Sequence, residues 1–182
     1  MEFKLSYSLL RPWQRSDEAS LAQHANNRNV WRNLRDAFPH PYTMNDAEQW
    51  IQKASAEDPV MDFAIVVQGA AVGGIGLIPR ADVHRHTLGL GYWLGEAFWG
   101  RGIMTEAVCA VTDYAFQNAE TQRVYACVYA WNPGSTRVLE KAGYQLEGRL
   151  RKHARKDGMF VDEFIYGILR EERQRPNDRQ AI

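Results

Sequence analysis

Cysteine is scarce in this 182-residue sequence: there are only Cys109 and Cys127, in apolar surroundings and with no CxxC or Cys/His spacing around them. A disulfide framework and a zinc site therefore find no support, and the pair reads as buried free thiols. Neither sign of charge is in excess, since 22 Lys+Arg balance 22 Asp+Glu. That balance removes the electrostatic reason to expect a nucleic-acid or membrane-surface partner, although a local basic patch can hide in a balanced total. No apolar run approaches the roughly 18 residues that cross a bilayer, and Met1-Glu2-Phe3-Lys4 opens into a strand pattern instead of a signal-peptide core. A cytoplasmic location is the expectation. Histidine clusters only at His84-Arg85-His86, in a polar stretch that reads as a solvated loop, so no metal is expected.

What is present is an ordinary globular composition, 45% hydrophobic and 12% aromatic. A chain of this length carries a single domain with one real core, since ~150 residues already bury about 68–70% of their unfolded surface. Phe3 to Leu10 reads as a strand stopped by Arg11-Pro12. Ser16-Asp17 then opens a helix through about Ala25, and a short helical stretch follows from Asn29 to Leu34. After Pro39 and Pro41, Thr43-Met44-Asn45-Asp46 starts a helix whose stripe is Ala47, Trp50, Ile51 and Ala54. The period then changes. Phe63 to Val67, the Gln68-Gly69 turn and Ala71 to Ile78 form a hairpin, with Thr87 to Leu94 as a third strand. Thr105 to Gln117 is helical with Met104, Val108, Val111 and Ala115 on one stripe; Arg123 to Tyr129 is a strand, and Ser135 to Ala142 a short helix ending at Gly143. Tyr144 to His153 and Phe160 to Leu169 close the fold as a hairpin over Asp157-Gly158. The order β-α-α-β-β-β-α-β-α-β-β implies an α/β (α+β) mixed sheet with helices on its faces, unlike the alternation of a Rossmann or TIM fold. Residues 1–170 form the single domain, and 171–182 a charged, frayed tail.

Three segments carry candidate chemistry. Gly91 to Ala107 runs strand, glycine-rich loop, helix, and Gly100-Arg101-Gly102 can turn successive backbone N–H groups toward one anion at the positive end of a helix. A plain strand-to-helix turn uses glycines equally well, and neither GxxxxGK[ST] nor GxGxxG is present. In Leu88-Gly89-Leu90-Gly91, alternation places both glycines on one strand face, which marks close approach by a ligand or a packed helix. Asn132-Pro133-Gly134-Ser135 joins a strand to a helix, where capping by itself accounts for Asn132 and Ser135.

Together with Leu10-Arg11-Pro12-Trp13, Pro39-His40-Pro41-Tyr42-Thr43, Gly73-Gly74-Ile75-Gly76-Leu77 and Leu146-Glu147-Gly148, these segments, in their order and spacing, resemble the GNAT acyltransferase superfamily. The branch resembled is the Rim-type ribosomal-protein N-terminal acetyltransferases, and the likeness covers nearly the whole chain. It implies the GNAT fold, with acetyl-CoA bound where the strands Thr87 to Leu94 and Arg123 to Tyr129 splay apart. By similarity, backbone groups of Trp93 and Leu94 pair with the pantetheine arm, and the loop Trp99, Gly100, Arg101, Gly102, Ile103, Met104 and Thr105 holds the pyrophosphate. Asn132 and Ser135 sit near the thioester, and Arg137 reaches the CoA phosphates. The implied chemistry is direct attack of a neutral amine on the thioester. An α-amine, with pKa about 7.7–8.0, loses its proton more easily than a lysine near 10.4. The Leu94 N–H is the candidate oxyanion donor and the Ser135 hydroxyl the candidate acid for the leaving thiolate.

The departures from the pattern matter. Trp99 and Met104 stand where the superfamily has Gln or Arg and a small residue. Leu139 replaces the tyrosine that protonates the thiolate, and Gly89 replaces a glutamate base; Glu48, His153 and Asp162 are unranked substitutes. Trp31, Tyr42 and Trp50 are candidate acceptor-site walls, with core packing as the plainer role for Trp50. The basic run from Arg149 to Lys156 suits an acidic partner or simply a solvated strand face. The leading function is transfer of acetyl to a protein N-terminal α-amine. The alternatives are a small amine such as a polyamine, amino acid derivative or antibiotic, and a CoA-binding sensor without turnover. A monomer or a homodimer is expected, with no direct nucleic-acid partner.

Overall fold

The first strand is interrupted. In the computed structural model, which describes residues 1–118 and 120–174, Phe3–Lys4 (β1) and Leu9–Pro12 (β2) pair antiparallel around a turn in which the Leu5 N–H donates to the Ser8 carbonyl at 2.9 Å. β2 also continues through Arg11 and Pro12, which were expected to stop it. Because β1 pairs only with Leu9 and Leu10, Pro12 faces a free edge on that side and needs no ladder donor there.

A single 3-10 turn, Arg15–Asp17, leads into α1 (Glu18–Ala25). Asp17 is not the side-chain cap that its position suggests. Its carboxylate is held by the Arg11 guanidinium at 2.7 and 2.8 Å and accepts the Gln14 N–H at 2.9 Å. α2 is shorter than the pattern predicts, Arg28–Trp31, capped by the Asn27 side chain. α3 (Met44–Ala54) starts where expected, with Thr43 and Asp46 forming a reciprocal capping box.

β3 (Asp62–Val67), β4 (Ala70–Pro79), β5 (Thr87–Leu94), α4 (Ile103–Gln117), β6 (Arg123–Tyr129), α5 (Pro133–Lys141), β7 (Gln145–Lys156) and β8 (Met159–Leu169) follow. The strands form one sheet in the order β1-β2-β3-β4-β5-β6-β8-β7. Among the described residues its only parallel pair is β5–β6. One face packs against α4 and α5 through Val108, Val111 and Leu139, and the other against α1 and α3 through Leu21, Ala47 and Ile51. The predicted α4 stripe of Met104, Val108, Val111 and Ala115 is buried throughout. Gly143, at φ +93°, terminates α5 as expected.

The charged tail begins as a helix, α6 (Arg170–Gln174), because it has partners: the Leu169 N–H donates to Glu172 at 2.8 Å, and Arg173 pairs with Asp113 at 2.6 Å. The rest of the tail expectation, 175–182, lies outside the described residues. Both cysteines are free, but Cys109 is half-buried and Cys127 exposed, which corrects the reading of two buried thiols. Cys127 lies on β6 beyond its pairing with β5, where the sheet opens. No helix among the described residues is long and apolar enough to cross a membrane.

Candidate active site

β5 and β6 pair only at Thr87/Arg123, Leu88/Val124 and Gly89/Tyr125. β5 stays paired to β4 as far as Leu94, and β6 to β8 as far as Tyr129, so from Leu90 onward the two strands diverge, each with one free edge. The direction of the free groups follows from alternation. The Gly95 N–H donates to Val72 of β4 and the His86 carbonyl accepts from Gln122, so even-numbered residues of β5 turn their backbone toward β6. The unpaired edge therefore starts at the Leu90 carbonyl and continues through Tyr92 and Leu94. The Trp93 backbone, expected in the cleft, is directed to β4 instead: a Cβ on Gly73 would lie 2.6 Å from its carbonyl. The Leu94 carbonyl accepts the Trp99 indole N–H at 2.7 Å, which leaves its N–H facing the splay.

The loop beyond β5 ends in two left-handed glycines, Gly100 at φ +75° and Gly102 at φ +80°. Nothing crowds Gly100, so conformation and not packing requires glycine there. Gly102 caps α4 and has no side chain to satisfy the first N–H groups of the helix. The N–H groups of Ile103, Met104 and Thr105 are then the orphan donors of a helix start, suited to an anion. Met104 points its side chain into the core, and Trp99 uses its indole to close the loop, so neither departure intrudes on those donors. Arg101 lies 5.4 Å from the Phe98 ring and is exposed beside them. An unpaired strand edge leading toward an uncapped helix start fits a pantetheine arm and a pyrophosphate.

At the mouth of the splay, Asn132 caps α5: its Oδ1 accepts the Ser135 N–H at 3.1 Å. Its side-chain nitrogen has no partner among the described residues. Ser135 Oγ lies 2.7 Å from the Tyr92 phenol oxygen, a contact across the splay that the sequence reading missed. Strand alternation places Tyr92 on the α4–α5 face but does not reveal its partner. Leu139 is fully buried in the α4–α5 core and offers no proton. Arg137 is exposed on α5.

The opposite face of the splay is floored by glycine. Gly91 is exposed, with only the Ile78 side chain within 4 Å of a would-be Cβ, so no helix fills the space. Of the three predicted wall residues, Tyr42 is buried against Phe38 at 4.8 Å, and burial pushes its phenol up to about 12. Trp50 packs beside the α1–α3 core under Lys53. Only Trp31 stands apart, stacked on His40 and capped by the Lys156 ammonium 3.7 Å from its ring centroid. The three are not gathered into one wall. Arg32, 5.2 Å from the Trp131 ring beside Asn132, was missed because nothing in a short polar helix marks it. Although Cys127 is exposed, partial desolvation by the surrounding protein lifts its thiol, with Glu163 adding to the effect and Arg35 and Arg80 opposing it, which places both arginines near this part of β6.

Asp162 is held below the ordinary carboxylate range by the Lys152 N–H and Arg149, Glu48 is exposed on α3, and His153 faces Glu163 at 3.5 Å. Asp62 was not foreseen. A Cβ on Gly76 would come within 1.8 Å of its carboxyl, so the group lies over the glycine that pairs with Gly91. Burial first and Glu57 second push Asp62 up to about 7, with Lys53 opposing. Two cations of the basic run of β7 are paired, Arg149 with Asp162 at 2.6 Å and Lys156 with Asp36 at 2.7 Å. Among the described residues no group of three or more His, Cys, Asp or Glu side chains could hold a metal.

A family model described as an acetyltransferase (GNAT) domain matches residues 8–145. The "Probable N-acetyltransferase YjcK" of Bacillus subtilis (strain 168) is 45% identical over 109 residues, which span 60% of this chain and 58% of YjcK. The ribosomal-protein-serine acetyltransferase of Escherichia coli (strain K12) is 31% identical over 107 residues, 59% of each chain. Among solved structures, Mycobacterium smegmatis RimJ in complex with CoA-disulfide superposes with a TM-score of 0.79 at 22% identity, covering 92% of this chain and 84% of RimJ.

Proposed function

The chain belongs to the GNAT acetyltransferase family, and from that premise we propose that it moves the acetyl group of acetyl-CoA onto a primary amine, in first place the N-terminal α-amine of a protein such as a ribosomal protein. The observation that carries the transfer reading is the splay itself. The free edge of β5 leads, past a loop closed by Trp99, toward the uncapped start of α4, as a thioester with a pyrophosphate tail requires. The Leu94 N–H supports the forming oxyanion, Ser135 supports the departing sulfur, and Arg101 and Arg137 supply positive charge for the phosphates.

The acceptor approaches over Gly91, where an exposed glycine leaves room for an extended backbone. Arg32, Arg35 and Arg80 border that face, which favours an acceptor with carbonyls or a carboxylate beside its amine over a polycation. Relatives named for ribosomal proteins support the same acceptor class. Asp62 with Glu57 favours a second reading, a small polyamine held near Gly76.

The test is incubation with acetyl-CoA and a panel of N-terminal peptides, amino acid derivatives and polyamines, followed by free-thiol release and mass spectrometry. Acetylation at the α-amine of peptides, strongest where acidic residues follow it, is expected. Preferential modification of polyamines replaces the first reading with the second. Binding of acetyl-CoA without modification of any acceptor favours a sensor.

A further inference from the structure

Among the described residues, Tyr92 is the one side chain that hydrogen-bonds Ser135 from the opposite bank of the splay. Its phenol oxygen lies 2.7 Å from Ser135 Oγ and 3.4 Å from the Ser135 carbonyl oxygen. The short contact is between hydroxyls, so which one donates decides where the other hydrogen points. If Ser135 donates to the phenol, its only hydrogen is spent and the sulfur of a bound thioester finds no donor. If the phenol donates to Ser135, a serine lone pair is filled and the serine hydrogen is left to turn into the splay.

Two features select the second arrangement. A phenol is intrinsically the stronger donor, with a pKa of about 10 against a much less acidic aliphatic alcohol. Burial raises the Tyr92 phenol further, so it keeps its hydrogen across the whole working pH range. The carbonyl at 3.4 Å is too far to compete with a partner at 2.7 Å. Leu139 adds the need: fully buried on α5, it leaves Ser135 as the hydroxyl of this helix nearest the splay that Tyr92 can orient.

We infer that Tyr92 is the positioning residue that aims the Ser135 hydroxyl at the thioester sulfur, reaching from β5 to orient the acid that α5 carries. The inference rests on the acetyl-transfer reading. In the step it serves, the amine nitrogen bonds to the thioester carbon and the C–S bond breaks with its electron pair leaving on sulfur. The Ser135 hydrogen passes to sulfur to give the free CoA thiol, and the proton lost by the amine nitrogen passes to the Ser135 oxygen, so the serine ends as it began. Tyr92 itself neither gains nor loses a proton.

The test is a kinetic cycle of the wild type, Tyr92→Phe, Ser135→Ala and the double variant, with CoA affinity of each measured by calorimetry. Tyr92→Phe is expected to lower kcat about tenfold while KM for acetyl-CoA stays within about twofold, and Ser135→Ala to lower kcat about a hundredfold, the scale of one lost transition-state donor. The double variant falls no further than Ser135→Ala, because an unoriented hydroxyl and an absent one leave sulfur equally unsupported. An unchanged kcat in Tyr92→Phe, a rise in KM with kcat kept, or losses that multiply in the double variant each overturn the inference. A Tyr92→Phe variant that folds but no longer binds CoA makes Tyr92 a cofactor contact and overturns the inference as well. A wild type that turns over with neither amine nor water overturns the transfer reading itself, and that result is read without any variant.

Discussion

Asp62 holds its proton to about pH 7, whereas an aspartate in an unfolded chain releases it near 3.9. The native state therefore binds more protons than the unfolded state between those values, and stability falls as pH rises through that window. Asp62→Asn cannot ionise and escapes the loss, so its Tm is expected to exceed the wild type's at pH 8 and to match it at pH 4; equal Tm values at both would show that the carboxyl ionises freely. Nothing in the sequence marks Asp62, because its state depends on Glu57 and on lying over Gly76 across a strand pair. Ser135, Asn132 and the Gly100–Gly102 loop were legible since their local chemistry is written in consecutive residues. Tyr92 lay within a quoted motif, yet its partner is 43 residues away.

Among the elements, the start of α4 depends on one backbone conformation. Gly102→Ala forces a Cβ into the left-handed region, which costs about 1–2 kcal/mol. A lower Tm together with a raised KM for acetyl-CoA is expected, and an unchanged KM would separate the loop from cofactor binding. The entry to α1 depends on a buried ion pair instead of a cap: Arg11 and Asp17 are 8% and 3% exposed. Removing one partner strands the other charge, so Asp17→Ala is expected to destabilise by about 3–5 kcal/mol in chemical denaturation. A loss near 1 kcal/mol, the size of an N-cap effect, would favour the capping role instead. Residue pattern located nearly every helix and strand. It missed the break between β1 and β2, and the docking of α6, because a local turn and long-range ion pairs decide both.

At the scale of the whole molecule, the β7–β8 hairpin reaches back to α2. Arg28 bonds Asp157 at its tip at 2.7 Å, and Lys156 rests on Trp31 while pairing with Asp36. Under the proposed function these contacts border the side from which the acceptor approaches. Lys156→Ala is expected to raise KM for the amine about two- to thirtyfold, the range spanned by a cation–π contact of about 0.5–2 kcal/mol. KM for acetyl-CoA should not move, and a parallel rise in both would make the contact a general support of the fold. The sequence by itself determined the order of elements, the mixed sheet, the glycine loop and the capped start of α5, since periodicity, turn chemistry and capping act over a few residues. The resemblance named the two strands that part, but only the tertiary structure decided at which residue they do so, which edge of β5 is free, and which side chains meet across the gap. Those follow from pairing and packing between residues far apart in the chain, and no local pattern encodes such distances.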